Sequence, residues 1–394
     1  MVRLSAGQRI GLEGNGAGSF GPRISSRSWQ DRWPHRLEEG RWTEKPRTVS
    51  RSGGVWRSSR TVFQRIKNIW NPAHFHYHHQ LGQRRGYFEG WYVKLVDPEG
   101  GQPYALIPGV IMGEDPHAFI QVLDGRAGSA VYHRFPIGAF EAARNRFSVS
   151  IGDNHFSDSG ISLKIQGEDT SASGQTVTGQ IEFSPWSPWP VRPLSPGIMG
   201  PYSFVPFMEC NHGILSLDHG LTGHLTVDGI QTDFSGGRGY VEKDWGRSFP
   251  AGYVWAHSNH FGTPGISLTA AVARIPWLTG AFRGFIIGFL HEGTLHRFTT
   301  YTKAVLEKLE MTSSGLHLCI RNRDHRLEVM ATKSEGGLLY APYNKQMIER
   351  VAETMTSEVK VRLERLDGKR TIFEGVGRHA CLEAQGDLSG VLDG

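Results

Sequence analysis

From Gly86 onward, apolar and polar residues alternate in short runs along most of the chain. "YFEGWYVKLVD", "PYALIPGVIM" and "HAFIQVLDG" read as short strands, with glycine- and aspartate-rich turns between them. "RFSVSIGDNHFS", "ISLKIQG", "VTGQIEFS" and "LTGHLTVDG" continue the pattern, and "YVWAHSNHF", "ISLTAAVARI", "FRGFIIGFLHEG" and "HRLEVMATKS" extend it. A period of two puts alternate side chains on opposite faces of a strand. Short strands at regular spacing indicate an all-β chain built from barrels or sandwiches. One stretch, "APYNKQMIERVAETMTSEV" (341–359), predicts a single short helix.

The pattern is absent from residues 1–60, which are rich in Gly, Arg and Ser and predict a disordered extension. Charge separates there too. This segment holds 12 Lys/Arg against 5 Asp/Glu, or +7, whereas the rest holds 31 against 33, or −2. The basic balance belongs to the extension, so no nucleic-acid partner is expected of the body. At 394 residues the chain is long enough for two ordinary domains, and 50 glycines suit many tight turns. The expected division is 1–61 as a basic leader, 62–235 as a first β domain and 236–394 as a second.

Cys210, Cys319 and Cys381 are odd in number and far apart, which suits a reducing, cytoplasmic setting without disulfides or metal spacing. The most apolar stretch, Ile266–Leu290, is interrupted by Arg274, Pro276 and Arg283 and makes no clean membrane helix. "FSPWSPWPVRPLSPGIMGPYSF" (183–204) is too proline-rich for a helix and too apolar for a loose tether. It reads as a crossover or as a lid over a pocket mouth.

Four stretches carry candidate chemistry. In "GYFEGWYVK" (86–94), alternation puts Tyr87, Glu89 and Trp91 on one strand face and Tyr92 and Lys94 on the other. Glu89 pointing into an apolar interior would have a raised pKa; paired with an arginine such as Arg84 it would be structural. In "EKDWG" (242–246), Glu242 and Asp244 share one face and Lys243 takes the opposite one. Two neighbouring carboxylates can split roles, one protonated and one ionised; the alternative is an ion-paired turn. In "NPAHFHYHHQLG", His74, His76 and His78 would share a face, as metal ligands or as hydrogen-bonding groups at a pocket rim. "WAHSNHF" adds Trp255, His257 and Asn259 on one alternating face, suited to a pocket wall. No G-x-S-x-G or Walker loop is present, and no dinucleotide fingerprint follows a strand.

In "GYFEGWYVK", "HAFIQVLDG", "HGILSLDHGLTGHLTVDG", "GGRGYVEKDWGRSFP" and "WAHSNHF", in that order, the chain resembles the tocopherol cyclase family. It is similar, more distantly, to carotenoid 1,2-hydratases and to the cyclases of decalin biosynthesis. The resemblance implies two tandem lipocalin-like antiparallel β-barrels, with a pocket at or near their junction. Plant members carry "EKNWG"-like residues, and Asp244 here replaces the amide. The implied chemistry is acid-initiated closure of a prenylated quinol to a chromanol, without a cofactor. Glu242 or Asp244 would donate the proton, the other being ionised partner or base, with Glu89 as the second choice of acid. Lys243 would tune them or bind a polar head group. Trp91, Trp245 and Trp255 would line the path of the cation, and Tyr92, His257 and Asn259 would complete the substrate site. Hydration of an isoprenoid double bond and non-catalytic lipid binding are the alternatives. A lipid or prenylquinol substrate is compatible with peripheral contact at a membrane.

Overall fold

The computed structural model describes residues 69–76, 86–171, 173–205, 208–277 and 280–392. The expected leader, His78 and Arg84 lie outside these residues.

Strands dominate, as the alternation predicts. The first group is β1 (Tyr87–Val96), β2 (Pro103–Met112), β3 (His117–Asp124), β4 (Ser129–Pro136), β5 (Phe140–Ala142), β6 (Ser148–Ile151), β7 (Asn154–Ser157), β8 (Gly160–Ile165) and β9 (Val177–Phe183). A two-residue pair, β10 (Val191–Arg192) and β11 (Ser195–Pro196), precedes β12 (Cys210–Val227), β13 (Ile230–Asp233) and β14 (Arg238–Gly246). The second group is β15 (Gly252–Ser258), β16 (Ser267–Trp277), β17 (Gly280–His291), β18 (Thr294–Thr299), β19 (Val305–Thr312) and β20 (Gly315–Arg321). It ends with β21 (His325–Thr332), β22 (Gly337–Tyr343), β23 (Gln346–Arg365) and β24 (Arg370–Gly386).

These strands form two large antiparallel sheets. The first runs β4-β3-β2-β1-β14-β12-β9-β8-β7-β6-β5, and the second β18-β17-β16-β15-β24-β23-β21-β20-β19. Neither closes into the barrel that the resemblance implied: among the described residues β4 and β5, and β18 and β19, remain edge strands. The long strands supply curvature instead. β12 pairs with β14 along its first half and with β9 along its second, with register shifts between Ile214 and Ser216 and between Ser216 and His219. Such irregularities bend a strand and increase its twist, so a sheet can wrap around a core while its edges stay apart. The changeover between sheets falls between Gly246 and Gly252, so β14, beyond residue 235, belongs to the first sheet.

The expected helix over 341–359 is a hairpin, β22 and β23. Its turn residues Asn344 and Lys345 have φ of 46° and 66°. Left-handed values at both central residues suit the two-residue turn whose twist matches antiparallel strands. Beyond the turn, Met355, Ser357, Val359, Val361 and Leu363 are buried at every second position. That period is a strand's, and it outweighs the helix propensity of Lys, Glu and Met.

Each sheet wraps its own apolar cluster, one around Trp91, Phe147, Phe156 and Trp245, the other around Phe289, Phe298, Leu327 and Val361. A third cluster draws on both sheets. It joins Tyr92, Ile214 and Tyr240 of the first to Tyr253, Trp255, Met355 and Cys381 of the second. The segment 183–204 is packed into it as a strap: Trp189 is buried, and Tyr301 Oη donates to the Ile198 carbonyl at 2.8 Å. No described helix is long and apolar enough to cross a membrane.

Candidate functional site

A cavity of about 190 Å³ opens within the third cluster, walled by both sheets and by the strap. Its lining is mostly carbon, including Phe88, Phe119, Tyr202, Phe249, Trp255 and Phe282. Met199 and Tyr202 come from the strap, so the proline-rich segment forms part of the wall. Gly90 and Gly109 face each other across β1 and β2. A Cβ on Gly109 would stand 2.4 Å from Phe119 Cζ, so glycine there lets the Phe119 ring reach the cavity.

Strand alternation decides which sequence-predicted residues reach this space. Glu242 and Asp244 of β14, Tyr92 of β1 and Trp255 of β15 line it. Their odd-even neighbours Lys243, Trp245, Glu89 and Trp91 turn to the other face of the first sheet. There Lys243 Nζ lies 2.5 Å from Glu89 Oε1, both side chains fully buried. Lys243 Nζ also reaches His76 Nδ1 at 2.7 Å and the Pro72 carbonyl at 3.2 Å, and bonds to the His74 carbonyl. It sits 5.1 Å from the Trp91 ring and 4.7 Å from the Trp245 ring. His74 and His76 thus serve a buried cation. Burial pulls Lys243 down to about 8 against the opposing pull of Glu89.

His257 and Asn259 also stand apart from the cavity. His257 stacks on Tyr240 with ring centroids 3.5 Å apart, and burial holds its pKa well below the usual imidazole range. Asn259 Nδ2 donates to Asp218 Oδ1 at 3.1 Å and to the Gly239 carbonyl at 2.9 Å. Asp218 is buried against Arg238 and accepts from the Gly265 amide at 2.8 Å. Asn259 therefore ties β14 to the second sheet.

Residues that sequence reasoning missed complete the acidic cluster. His212 of β12 is directly opposite Asp244, and Ile214 opposite Glu242. His212 Nδ1 lies 2.9 Å from Asp244 Oδ1, and its Nε2 lies 3.5 Å from Glu242 Oε2. Tyr240 Oη donates to Glu242 Oε2 at 2.5 Å. Burial alone would lower the His212 pKa, but the Asp244 and Glu242 carboxylates outweigh it and raise it to about 9. Burial raises Glu242 to about 7, with Asp244 adding to the rise and His212 opposing it. From the second sheet, Glu383 lines the same cavity and accepts from Tyr253 Oη at 2.7 Å. Burial lifts Glu383 to about 7. His212 stands within "HGILSLDHG", but only the strand register reveals its partners 30 residues downstream.

The ligand atoms of His212, Glu242 and Asp244 lie within 4.8 Å of one another, as do those of His317, Cys319 and Glu328 on β20 and β21. Both have donor types that suit a divalent metal. In the first, a metal would have to displace the proton that two carboxylates hold on His212. In the second, Arg326 Nη1 already lies 3.4 Å from Glu328 Oε2.

A family model described as tocopherol cyclase-like matches residues 85–386. The chain is 30% identical over 193 residues to the chloroplastic tocopherol cyclase of Zea mays, covering 46% of this chain and 40% of that protein. It is 29% identical over 192 residues to a probable chloroplastic tocopherol cyclase of Oryza sativa subsp. japonica, with the same coverage. The matched region thus spans well under two thirds of these relatives' length. Among solved structures, kievitone hydratase from Nectria haematococca is similar at 10% identity and a TM-score of 0.40, over 76% of this chain and 89% of that one. That superposition is too loose to transfer any chemistry.

Proposed function

Because the chain belongs to the tocopherol cyclase-like family, we propose that it closes an oxygen-containing ring on a prenylated quinol, starting from a proton delivered by Glu242. The observation that carries this reading is the placement of Glu242, with His212 and Asp244, on a cavity whose walls are otherwise mostly carbon. Protonating an alkene needs a carboxylic acid that still holds its proton near neutral pH. Glu242, raised to about 7 by burial, meets that need.

The proton adds to the prenyl double bond and leaves a tertiary cation. Trp255 and Tyr92, whose rings meet edge-on at 5.7 Å, present aromatic faces to it. A desolvated face is worth up to about 2 kcal/mol. The phenol oxygen then captures the cation. His212, 3.5 Å from Glu242, keeps a positive charge beside the carboxylate that the acid becomes. Apolar walls exclude water, which would otherwise take the cation and give a hydrated product.

Incubating the purified chain with a short-chain prenylated hydroquinone tests the reading. A product of unchanged mass and altered retention supports it. A product heavier by one water would make the chain a hydratase. Tight binding without conversion would make it a lipid binder, for which cavity-facing acids have no use.

A further inference from the structure

The proposed cyclisation needs a second proton station, because the phenol proton must leave once the oxygen has bonded to carbon. The second sheet offers one. Glu353 of β23 and Glu383 of β24 are direct cross-strand partners. Partners in register project from the same sheet face with Cβ atoms about 5 Å apart. Glu353 is fully buried, and Glu383 reaches the cavity.

Each has a tyrosine donor. Tyr253 Oη bonds to Glu383 Oε2 at 2.7 Å, and Tyr92 Oη bonds to Glu353 Oε1 while lying 3.3 Å from Cys381 Sγ. Glu353 Oε2 makes no hydrogen bond of ordinary geometry among the described residues. The other titratable groups acting on this corner are Glu242 and Asp244 on β14, Lys94 on β1 and Arg350 on β23. None of the ion pairs among the described residues involves Glu353 or Glu383. Two carboxylates this close in a dry wall cannot both ionise.

We propose that Glu353 and Glu383 share one proton as a pair, and that Glu383 is the catalytic base that takes the hydroxyl proton of the substrate head group. Glu353 is the positioning residue behind it. This rests on the cyclase reading above. The bookkeeping of atoms closes. Glu242 loses a proton to the alkene carbon, the C–O bond forms, and the O–H bond breaks. Its proton passes to Glu383, so the pair goes from one proton to two. The extra proton returns to Glu242 before the next turnover, and nothing is consumed. Burial supports the sharing, since with the Glu383 charge beside it the Glu353 carboxyl is pushed well up.

Two measurements decide it, both on the full chain with folding checked by circular dichroism. The first needs no substrate: the infrared carbonyl band of a protonated carboxyl, recorded at pH 8 in Glu242→Gln. The band should be present there and lost in Glu242→Gln/Glu353→Gln. Its absence from the single variant overturns the pair. The second is turnover of a short-chain prenylated hydroquinone. Glu383→Gln should lower kcat about 10²- to 10⁴-fold. Glu353→Gln should keep turnover and leave the acid limb of the kcat/KM profile in place, because the neutral amide stands in for the protonated carboxyl, whereas Glu353→Leu, which removes that hydrogen-bond donor, should raise the limb by on the order of one pH unit. Full activity in Glu383→Gln with an active wild type overturns the base role and leaves the cyclase reading standing. An inert wild type, with the band present in Glu242→Gln, contradicts the cyclase reading and the base role together, and leaves the carboxyl pair.

Discussion

Lys243 Nζ and Glu89 Oε1 lie 2.5 Å apart, both out of reach of solvent, on the face of the first sheet that turns away from the cavity. The pair links the two most conspicuous stretches of the sequence, "GYFEGWYVK" and "EKDWG", through strands β1 and β14. It also anchors residues 72–76 over the sheet through backbone carbonyls and His76. The charge that marks these motifs therefore has two jobs, one on each face.

Removing one partner of this pair should destabilise the fold rather than alter chemistry. Lys243→Met leaves Glu89 buried without its cation, which costs about 3–5 kcal/mol. Urea unfolding should show that loss. A change below about 1 kcal/mol would mean that the pair is not enclosed as described.

Asp244→Asn removes the carboxylate 2.9 Å from His212 Nδ1. Asp244 is the largest influence raising His212, so the imidazole should lose its proton at lower pH than about 9. The NMR titration of His212 should shift down. An unmoved His212 titration would contradict the described contact.

Stability should also track pH through the cavity acids. Glu242 and Glu383 are each raised from 4.5 to about 7, so the folded state binds more protons than the unfolded one in that range. Stability then falls as pH rises from about 4.5 to about 7, by at most roughly 1.4 kcal/mol per pH unit per group. His212 acts in the same sense at higher pH: its contribution is complete below 6.5 and lost as pH rises through about 9. Buried His219, lowered to about 3, opposes them on the acid side. The difference between wild type and Glu242→Gln isolates one group. It should decline between pH 4.5 and 7, and a flat difference would contradict the buried placement of Glu242.

The hairpin turn gives a test of the fold alone. Lys345 holds φ of 66° at the second central position, where glycine carries no Cβ penalty. Lys345→Gly should stabilise the chain by about 0.5–1 kcal/mol and raise the unfolding midpoint. A loss of stability would contradict the turn that replaces the expected helix.

The strands were legible because burial on one face enforces a period of two, and the segments around Ile161, Val177 and Leu327 show it cleanly. The 341–359 segment misled because Lys, Glu and Met favour helices locally, while its alternation becomes regular only beyond the turn. Sheet closure was not legible, since it depends on register shifts within β12 that leave no mark on composition. In the candidate site, alternation correctly separated Glu242 and Asp244 from Lys243. It could not find His212, Glu353 or Glu383, whose meaning comes from cross-strand partners. Nor could it tell that His257 and Asn259 serve packing between the sheets.

Proton delivery by Glu242 is tested most directly by turnover in deuterium oxide. A prenylated hydroquinone is incubated with wild type and with Glu242→Gln, and the ring-closed product is analysed by mass spectrometry and NMR. The expected result is one deuteron on the prenyl-derived carbon next to the new C–O centre with wild type, and no product with the variant. Carbon-bound deuterium formed equally fast by Glu242→Gln would contradict the assignment.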